Sequence, residues 1–305
     1  MTRRRYVTAD VFTDHLFGGN PVAVVLDAQG LTNAQMQAIA SEFNCSETTF
    51  VLPPQNLAHT AQVRIFTPRA EVPFAGHPNV GTAFLLAREP QFAQQMAQGR
   101  FVFEEAAGLV PLDLLQEDGA VVGAELCAPE QLSRRTVVVP VTAAACLSLS
   151  REVILTSTHA PQIVSVGLPF LVVELATRDA LRSAKPNLAA YGQLLPLDGA
   201  DAIFAYTRES AASRTQETVL HARMFSPLDG IVEDPATGSA AAATIALLAS
   251  SGGLPDGMHR WRVHQGVDMG RPSLLLGRTR TSGGRTTQAY IGGRCVAFMA
   301  GTFEL

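Results

Sequence analysis

Apolar and polar residues alternate along most of this chain in a pattern that predicts short strands separated by a few helices. Residues 5–13 and 20–27 are rich in valine and flank a Gly-Gly-Asn-Pro turn, which predicts a β-hairpin. Thr32 and Gln35 form a capping-box pattern, and apolar residues follow at helical spacing, so a helix is predicted over about 32–43. Further predictions are strands at 47–52, at 61–66 and within 100–127, and a helix over about 79–88.

The second half of the chain repeats this order. Leu168-Pro169-Phe170-Leu171-Val172-Val173 follows the pattern of Asn20-Pro21-Val22-Ala23-Val24-Val25 at an offset of 169 − 21 = 148 residues. After it the pattern predicts a polar helical region over 178–192, strands near 201–206 and 218–225, and a helix from about 237 to 250. The chain is therefore expected to contain one architecture twice.

Two motifs make the repeat specific. Arg64-Ile65-Phe66-Thr67-Pro68 leads to His77-Pro78, and Arg223-Met224-Phe225-Ser226-Pro227 leads to Asp234-Pro235. The offsets are 223 − 64 = 159 and 234 − 77 = 157, so the intervening loops differ by two residues. We expect the duplicated fold to place two corresponding turns face to face, one with His77 and the other with Asp234. A cleft of that kind suits proton chemistry.

Both turns lead into helices without charged residues, over 80–87 and 239–249, and such helices are buried all round. The expected fold is therefore α+β, with two pseudo-symmetric lobes, each a mixed β-barrel-like sheet around a central buried helix. The lobes are expected at 1–130 and 131–292, with the active site between them. The C-terminal strand 293–305 is a candidate to complete the first lobe.

Composition narrows the class of protein. With 305 residues, 47% of them apolar and 16% charged, about two globular domains are expected. A net charge of −4 with both signs mixed argues against a nucleic-acid partner, and the absence of a long apolar run argues against a membrane span, so a cytoplasmic location is expected. The cysteines at 45, 127, 146 and 295 are scattered, so neither zinc nor a disulfide framework is expected, and we interpret them as mostly buried thiols.

Three places could carry chemistry. At Gly76-His77 and at Asp234-Pro235-Ala236-Thr237-Gly238-Ser239 a turn enters a buried helix, whose first N–H groups carry a partial positive charge of about half a unit. A carboxylate or a developing enolate would bind there. The alternative is that His77 and Asp234 are ordinary helix caps. Glu47 begins an apolar strand and would otherwise be a solvated strand-edge side chain.

Five segments together resemble the PhzF-like phenazine-biosynthesis family, and they occur in the family's order over most of the chain. The segments are Gly19-Asn20-Pro21, Ser46-Glu47-Thr48-Thr49-Phe50-Val51, Arg64-Ile65-Phe66-Thr67-Pro68, Pro73-Phe74-Ala75-Gly76-His77-Pro78 and Glu233-Asp234-Pro235-Ala236-Thr237-Gly238-Ser239-Ala240.

The resemblance implies a fold similar to diaminopimelate epimerase and proline racemase, with no metal or organic cofactor and commonly a homodimer. It implies a cofactor-independent isomerase that shifts a proton next to a carboxylate or carbonyl of a small, cyclic, anionic metabolite. The type enzyme acts on a dihydro-hydroxyanthranilate. By the resemblance, Glu47 is the catalytic acid and base, His77 and Asp234 are the other catalytic residues, and four further residues bind substrate: Gly76, Thr237, Gly238 and Ser239.

Two other functions stay open. A non-catalytic small-molecule binding protein would retain the cleft without the reaction. An epimerase or racemase would have to act without the usual pair of cysteines, because the positions of the Cys-Gly-His and Pro-Cys-Gly patterns read Ala75 and Ala236 here. Cys45 would share a strand face with Glu47 but has no symmetric counterpart, so we interpret it as a buried thiol.

Overall fold

The computed structural model describes residues 2–209 and 217–305. The chain divides into two compact units: residues 1–126 together with 292–305 form the N-terminal unit, and residues 127–291 form the C-terminal unit. Within the described residues, no helix combines the length and the apolar character that crossing a membrane requires.

The strands of the N-terminal unit come from the first 127 residues, except for the last strand of the chain. Its elements are β1 (Arg3–Val11), β2 (Asn20–Val25), α1 (Asn33–Phe43), β3 (Glu47–Leu52), β4 (Ala61–Phe66), β5 (Glu71–Val72), α2 (Gly76–Leu86), α3 (Ala93–Ala97), β6 (Arg100–Glu105), β7 (Gly108–Glu117) and β8 (Ala120–Cys127).

The C-terminal unit follows, and the last strand returns to the first unit. The elements are β9 (Ser133–Val137), α4 (Pro140–Cys146), β10 (Gln162–Ser165), β11 (Pro169–Glu174), α5 (Arg178–Ser183), α6 (Leu188–Leu194), β12 (Ile203–Arg208), β13 (Glu217–Ser226), β14 (Ile231–Asp234), α7 (Gly238–Ser251), β15 (Gly257–Gln265), β16 (Ser273–Ser282) and β17 (Arg285–Glu304).

The strands of the N-terminal unit close into a ring. β1 is antiparallel to β2, β2 is parallel to β3, and β3 is antiparallel to β4. β4 is parallel to β6, and β6, β7 and β8 continue as an antiparallel meander. The C-terminal part of β17 pairs with both β1 and β8, which completes an eight-stranded sheet. β5 adds a short edge beside β4.

The C-terminal unit repeats this plan strand for strand. β10 is antiparallel to β11, β11 is parallel to β12, and β12 is antiparallel to β13. β13 is parallel to β15 and β15 antiparallel to β16, while β14 lies beside β13 as β5 lies beside β4. The duplication expected from the two sequence motifs is therefore present in the sheet topology.

Each unit contains one buried helix. All residues of α2 are buried, and it packs against β1, β2, β3 and β7. In α7 the residues from Ala240 to Ala249 are buried, and it packs against β10, β11, β15 and β16. Because neither helix presents a charged side chain, a sheet can cover every face of it. The expected α+β fold, with a sheet around a central helix in each half, is confirmed.

Two expectations about helices were wrong in detail. The helical region expected over 178–192 is two helices, α5 and α6, because Pro186 lies between them and cannot donate to a helical hydrogen bond. The helix expected from residue 79 begins at Gly76. Pro78 does not prevent this start, because the N–H groups of the first turn have no partner inside the helix.

The closure of the N-terminal sheet depends on glycines in β8 and β17. A Cβ atom on Gly123 would lie 1.9 Å from the carbonyl oxygen of Gly293, and one on Gly292 would lie 2.5 Å from that of Ala124. Backbone atoms cannot move aside as a flexible side chain can, so the two strands approach this closely only without side chains.

We expect Gly123→Ala to lower the free energy of unfolding by about 2–3 kcal/mol, because the added methyl group forces the two strands apart. Denaturant unfolding followed by circular dichroism measures it. Gly192→Ala is the matched control, because a Cβ there meets nothing within 4 Å. Gly192 lies in α6, so this control should gain about 0.4–1 kcal/mol. Equal effects of the two substitutions would contradict the packing described for β8 and β17.

Candidate active site

Glu47 is placed by the end of a helix and the start of a strand. α1 ends at Phe43, and the left-handed backbone conformation of its C-cap residue Asn44 (φ 51°) turns the chain out of the helix. β3 then begins at Glu47, which lies beside Val22 of β2 in the parallel register. The Glu47 side chain is about one-fifth exposed, while the next four residues of the strand are buried. Its carboxyl group therefore stands at the boundary between the core and the solvent.

His77 lies beside this carboxyl group. It is the second residue of α2, and its side chain is only 6% exposed. Nδ1 of His77 lies 3.4 Å from Oε2 of Glu47 and 3.5 Å from Nδ2 of Asn20. Asn20 is itself fully buried, and its Oδ1 accepts a hydrogen bond from the hydroxyl of Ser46 at 3.2 Å. The N-terminal unit thus brings Glu47 and His77 together and supports them with a buried amide.

The neighbours of His77 define its tautomer. Nε2 faces the carbonyl oxygen of Pro21 at 3.4 Å, and a carbonyl can only accept, so Nε2 carries the proton. Nδ1 then carries the single lone pair of the ring, which faces both Nδ2 of Asn20 at 3.5 Å and Oε2 of Glu47 at 3.4 Å. Burial lowers the pKa of His77 to about 3, against the smaller opposing effect of the Pro21 carbonyl. The imidazole is therefore neutral at every pH at which an enzyme is ordinarily assayed.

A neutral His77 changes what Glu47 can do. An imidazole lone pair and an ionised carboxylate oxygen repel each other at 3.4 Å, whereas a proton on Glu47 would form a hydrogen bond to Nδ1. A protonated Glu47 can thus donate to Nδ1 without transferring its proton to the imidazole. A carboxyl group in this position can act as an acid in one step and as a base in another.

In the C-terminal unit, Asp234 ends β14 and precedes α7. Its Oδ2 accepts a hydrogen bond of 2.5 Å from the hydroxyl of Thr237. Thr237 is the N-cap residue of α7, and its side chain makes no capping bond to the helix. At the start of α2 the N-cap residue is Ala75, which has no polar side chain. Neither His77 nor Asp234 is therefore the N-cap residue of its helix.

The Asp234 turn is held by Gln265, the last residue of β15, which is fully buried. Its Nε2 donates to the carbonyl oxygen of Asp234 at 2.9 Å and to the hydroxyl of Thr237 at 3.1 Å. Its Oε1 accepts from the backbone N–H of Thr237 at 3.1 Å. One amide thus fixes both the backbone of the turn and the hydroxyl that contacts the Asp234 carboxyl group.

The helix starts correct the alignment of the two turns. Gly76 and His77 are the first two residues of α2, and Gly238 and Ser239 are the first two of α7. The position equivalent to His77 is therefore Ser239, not Asp234, which lies further before its helix. The N-cap residue is Ala75 in one unit and Thr237 in the other. Ala75 and Ala236, which stand at the cysteine positions of a two-thiol racemase, carry no thiol.

The repeated Arg-x-Phe motif has a structural role. Arg64 pairs with Glu71 through two bonds of 2.6 and 2.7 Å, and Arg223 pairs with Glu233 through two bonds of 2.6 and 2.8 Å. Each guanidinium also lies over the phenylalanine two residues further on. Both pairs join the strand before the turn to the turn itself, so they hold the segments that lead into α2 and α7.

The remaining candidate groups are readily placed. Cys146 and Cys295 are buried, whereas Cys45 and Cys127 are half-buried. In residues 2–209 and 217–305, no cluster of three or more histidine, cysteine or acidic side chains could hold a metal ion. A cavity of about 610 Å³ in the N-terminal unit is lined by polar residues that include His59, Arg64 and Glu105, and neither Glu47 nor His77 lines it.

Comparison with known proteins assigns the family. The family model described as "Phenazine biosynthesis-like protein" matches residues 9–301. The chain is 39% identical over 303 residues to an uncharacterized isomerase of Mesorhizobium japonicum, with 97% of each chain covered. It is 36% identical over 301 residues to the trans-2,3-dihydro-3-hydroxyanthranilate isomerase of Pseudomonas aeruginosa, covering 97% of this chain and 98% of that protein.

A solved structure shows the same fold. The phenazine biosynthesis protein of the PhzF family from Bacillus anthracis superposes with a TM-score of 0.84 at 23% identity, and the match covers 100% of both chains. The family model, the relatives and the fold thus agree. The chain belongs to the phenazine biosynthesis-like (PhzF) family, and it is an isomerase.

Proposed function

We propose that the protein shifts a proton within a small, cyclic, anionic metabolite, next to a carboxylate or carbonyl group, with Glu47 as both base and acid and without a cofactor. The observation that carries the proposal is the contact of 3.4 Å between Oε2 of Glu47 and Nδ1 of a neutral His77. It gives a half-buried carboxyl group a neighbour that hydrogen-bonds its protonated form without becoming charged.

The reaction balances within one molecule. The ionised carboxylate of Glu47 takes a proton from a carbon of the substrate, and the electron pair of the broken C–H bond spreads into the adjoining unsaturated carboxylate. Glu47, now protonated and hydrogen-bonded to His77, returns the proton to a different carbon. The electron pair forms the new C–H bond there, and the product is an isomer of the substrate. No oxidant, reductant or co-reactant is consumed.

The first residues of the two buried helices would bind the anionic group of the substrate. Gly76 begins α2, and Gly238 and Ser239 begin α7. N–H groups at a helix start carry partial positive charge and stabilise a carboxylate or the negative charge that develops during proton removal. We propose that these groups and Thr237 bind the substrate and that Asp234 acts with Glu47 and His77 on the same molecule.

The relatives suggest which substrate to test first. Since a relative of this chain is named trans-2,3-dihydro-3-hydroxyanthranilate isomerase, that compound is the first candidate. The experiment incubates the protein with the compound in deuterated water and follows the mass and the ¹H spectrum. Because Glu47 is about one-fifth exposed, its proton can exchange with solvent before it is returned, so we expect solvent deuterium to appear on a carbon of the product as the double bonds move.

A panel of related cyclic carboxylates, with and without the amino group, defines the substrate class in the same assay. Saturable binding of these compounds with no exchange at any carbon would contradict the proposal. That result would instead favour a non-catalytic binding protein. Inversion of one stereocentre without movement of a double bond would favour an epimerase that acts without the usual cysteines, whose positions are Ala75 and Ala236 here.

A further inference from the structure

Glu105 is a buried acid that the proposed reaction does not use. It is the last residue of β6 and lies opposite Gly108 across the turn into β7. The N–H of Ala107, in the same turn, donates to the carbonyl oxygen of Pro73 at 3.2 Å. The turn that carries Glu105 is therefore fastened to the segment that leads into α2.

Asn79 links that segment to the helix. It lies in the first turn of α2 and is fully buried. Its Nδ2 donates to the carbonyl oxygen of Ala75, the N-cap residue, at 3.0 Å. This bond also fixes the orientation of the carboxamide, because the opposite orientation would place two oxygen atoms against each other. Asn79 therefore holds the first turn of α2, which carries Gly76 and His77.

Glu105 and Asn79 are left with unpaired acceptor atoms when Glu105 is ionised. Both carboxyl oxygens of Glu105 and Oδ1 of Asn79 are buried and have no hydrogen-bond partner among the residues that the structure describes. The Asn79 amide lies close enough to Glu105 to affect its ionisation. Three buried acceptor atoms in one place are unfavourable, and an ionised carboxylate adds a buried charge.

One proton satisfies all three atoms. A neutral Glu105 can donate its O–H to Oδ1 of Asn79, and its other oxygen then becomes the acceptor for the second N–H of Asn79, a bond that is not formed in the present arrangement. The result is the cyclic pair that carboxylic acids form with carboxamides. The first N–H of Asn79 remains on the Ala75 carbonyl. Burial raises the pKa of Glu105 to about 8, against a smaller opposing effect of the Asn79 amide, which agrees with a neutral side chain at pH 7.

We propose that Glu105 is a positioning residue of the active site: its uncharged carboxyl group pairs with the Asn79 carboxamide and thereby fixes the first turn of α2 with Gly76 and His77. The inference rests on the proposed function for the role of that turn, and on the buried acceptor atoms for the state of Glu105.

The charged groups around Glu105 leave it without a counterion. His59, Arg64, Glu71 and Glu104 line the same cavity as Glu105. Arg64 is paired with Glu71 at 2.6 Å, so its charge is already balanced, and the ring of His59 contacts Glu104 at 2.7 Å and not Glu105. On α2 itself, His77 is neutral because burial lowers its pKa to about 3. Ionisation of Glu105 would therefore bury a negative charge without an ion-pair partner among the residues that the structure describes.

The buried proton on Glu105 makes the stability of the folded protein depend on pH. In the unfolded chain Glu105 ionises near its ordinary pKa of 4.5, whereas in the folded protein it stays protonated up to about pH 8. The folded state binds the extra proton between these values. The stabilisation is complete below about pH 4.5, declines as the pH rises, and is lost above about pH 8.

Glu105→Gln tests the neutral pair, because a glutamine amide makes the same two hydrogen bonds without a titrating proton. Glu42→Gln is the matched control, since Glu42 is exposed on α1. Thermal unfolding midpoints are measured from pH 5 to pH 9. We expect the midpoint of Glu105→Gln to exceed that of the wild type by an amount that grows with pH and levels off above about pH 8. The control should follow the wild type at every pH.

The second measurement tests positioning. In ¹³C-labelled protein the imidazole signal of His77, assigned by its loss in His77→Gln, should shift between pH 7 and 9 in the wild type and stay constant in Glu105→Gln. Turnover lost by the wild type above pH 8 should be retained by Glu105→Gln. Glu105→Leu should lose at least tenfold in turnover at every pH.

Two results would overturn the inference. An unfolding difference between Glu105→Gln and wild type that does not change with pH would show that Glu105 is not held neutral. A pH-dependent difference without any shift of the His77 signal would show that the pair does not position the turn. The unfolding and ¹³C measurements need no substrate, so they remain decisive if the proposed reaction fails. Conversely, a protein that passes both tests but exchanges no substrate hydrogen contradicts the proposed reaction alone.

Discussion

Glu47→Gln is expected to lower turnover by about 10³-fold while leaving the fold intact. Glutamine has the shape of glutamate but can neither accept the substrate proton nor return it, and a positioned acid or base contributes roughly 10²–10⁴-fold to a rate. The carboxyl group is about one-fifth exposed, so an uncharged amide is accommodated without a buried-charge penalty. Turnover and solvent deuterium uptake by the candidate substrate measure the effect, and calorimetric titration measures binding.

The pattern of losses separates chemistry from binding. If Glu47 moves the proton, turnover and deuterium uptake fall together while substrate affinity changes little. Glu42→Gln makes the same chemical change on the exposed face of α1 and should behave as wild type. Deuterium uptake by Glu47→Gln at the wild-type rate would assign the proton transfer to another residue. Since His77 is neutral above about pH 3, a change in its protonation cannot explain the loss.

Much of the fold could be predicted because its signals are local or repeated. The capping box at Thr32 forms as expected, and the strands at 47–52 and 61–66 have the expected bounds. The buried helices could be predicted because they lack charged residues over several turns. The first residue of each buried helix was harder to predict, because a proline can lie either just before a helix or in its first turn.

The repeat predicted the duplicated topology but paired the wrong residues. The Arg-x-Phe motifs align correctly, since Arg64 and Arg223 make the same ion pair in their units. After these motifs, the loops that lead to the two buried helices differ in length. Aligning the two halves of the sequence on Pro78 and Pro235 places His77 opposite Asp234. Helix starts instead pair His77 with Ser239. Sequence spacing cannot reveal this, because the helix start is fixed by backbone geometry and not by the motif.

The supporting residues gave weak signals in the sequence. Asn20 belongs to a turn motif, but nothing in the sequence indicates that its side chain contacts His77. Gln265 ends an ordinary strand about 30 residues after the turn that it holds. Glu105 stands next to another glutamate, in a pattern typical of a solvated hairpin. Each of these side chains is defined by a partner distant in sequence, so only the folded chain shows what it does.

Gln265→Leu is expected to lower the free energy of unfolding by about 3–4 kcal/mol and turnover by at least tenfold. Leucine is close in size, but it leaves the N–H of Thr237 and the carbonyl of Asp234 without their buried partner, and each unpaired group costs about 1–3 kcal/mol. The Thr237 hydroxyl also loses the donor that orients it towards Asp234. Denaturant unfolding measures the first effect and the substrate assay the second.

Gln288→Leu is the control, because Gln288 is exposed on β17 and the same substitution there removes no buried hydrogen bond. It should change stability by no more than about 0.5 kcal/mol and leave turnover unchanged. The reason for expecting two effects from Gln265 is that one amide holds both the backbone and the hydroxyl of the Asp234 turn. A Gln265→Leu protein that is destabilised but fully active would show that the orientation of Thr237 and Asp234 does not matter for the reaction. Such a result would restrict the catalytic machinery to the pair of Glu47 and His77.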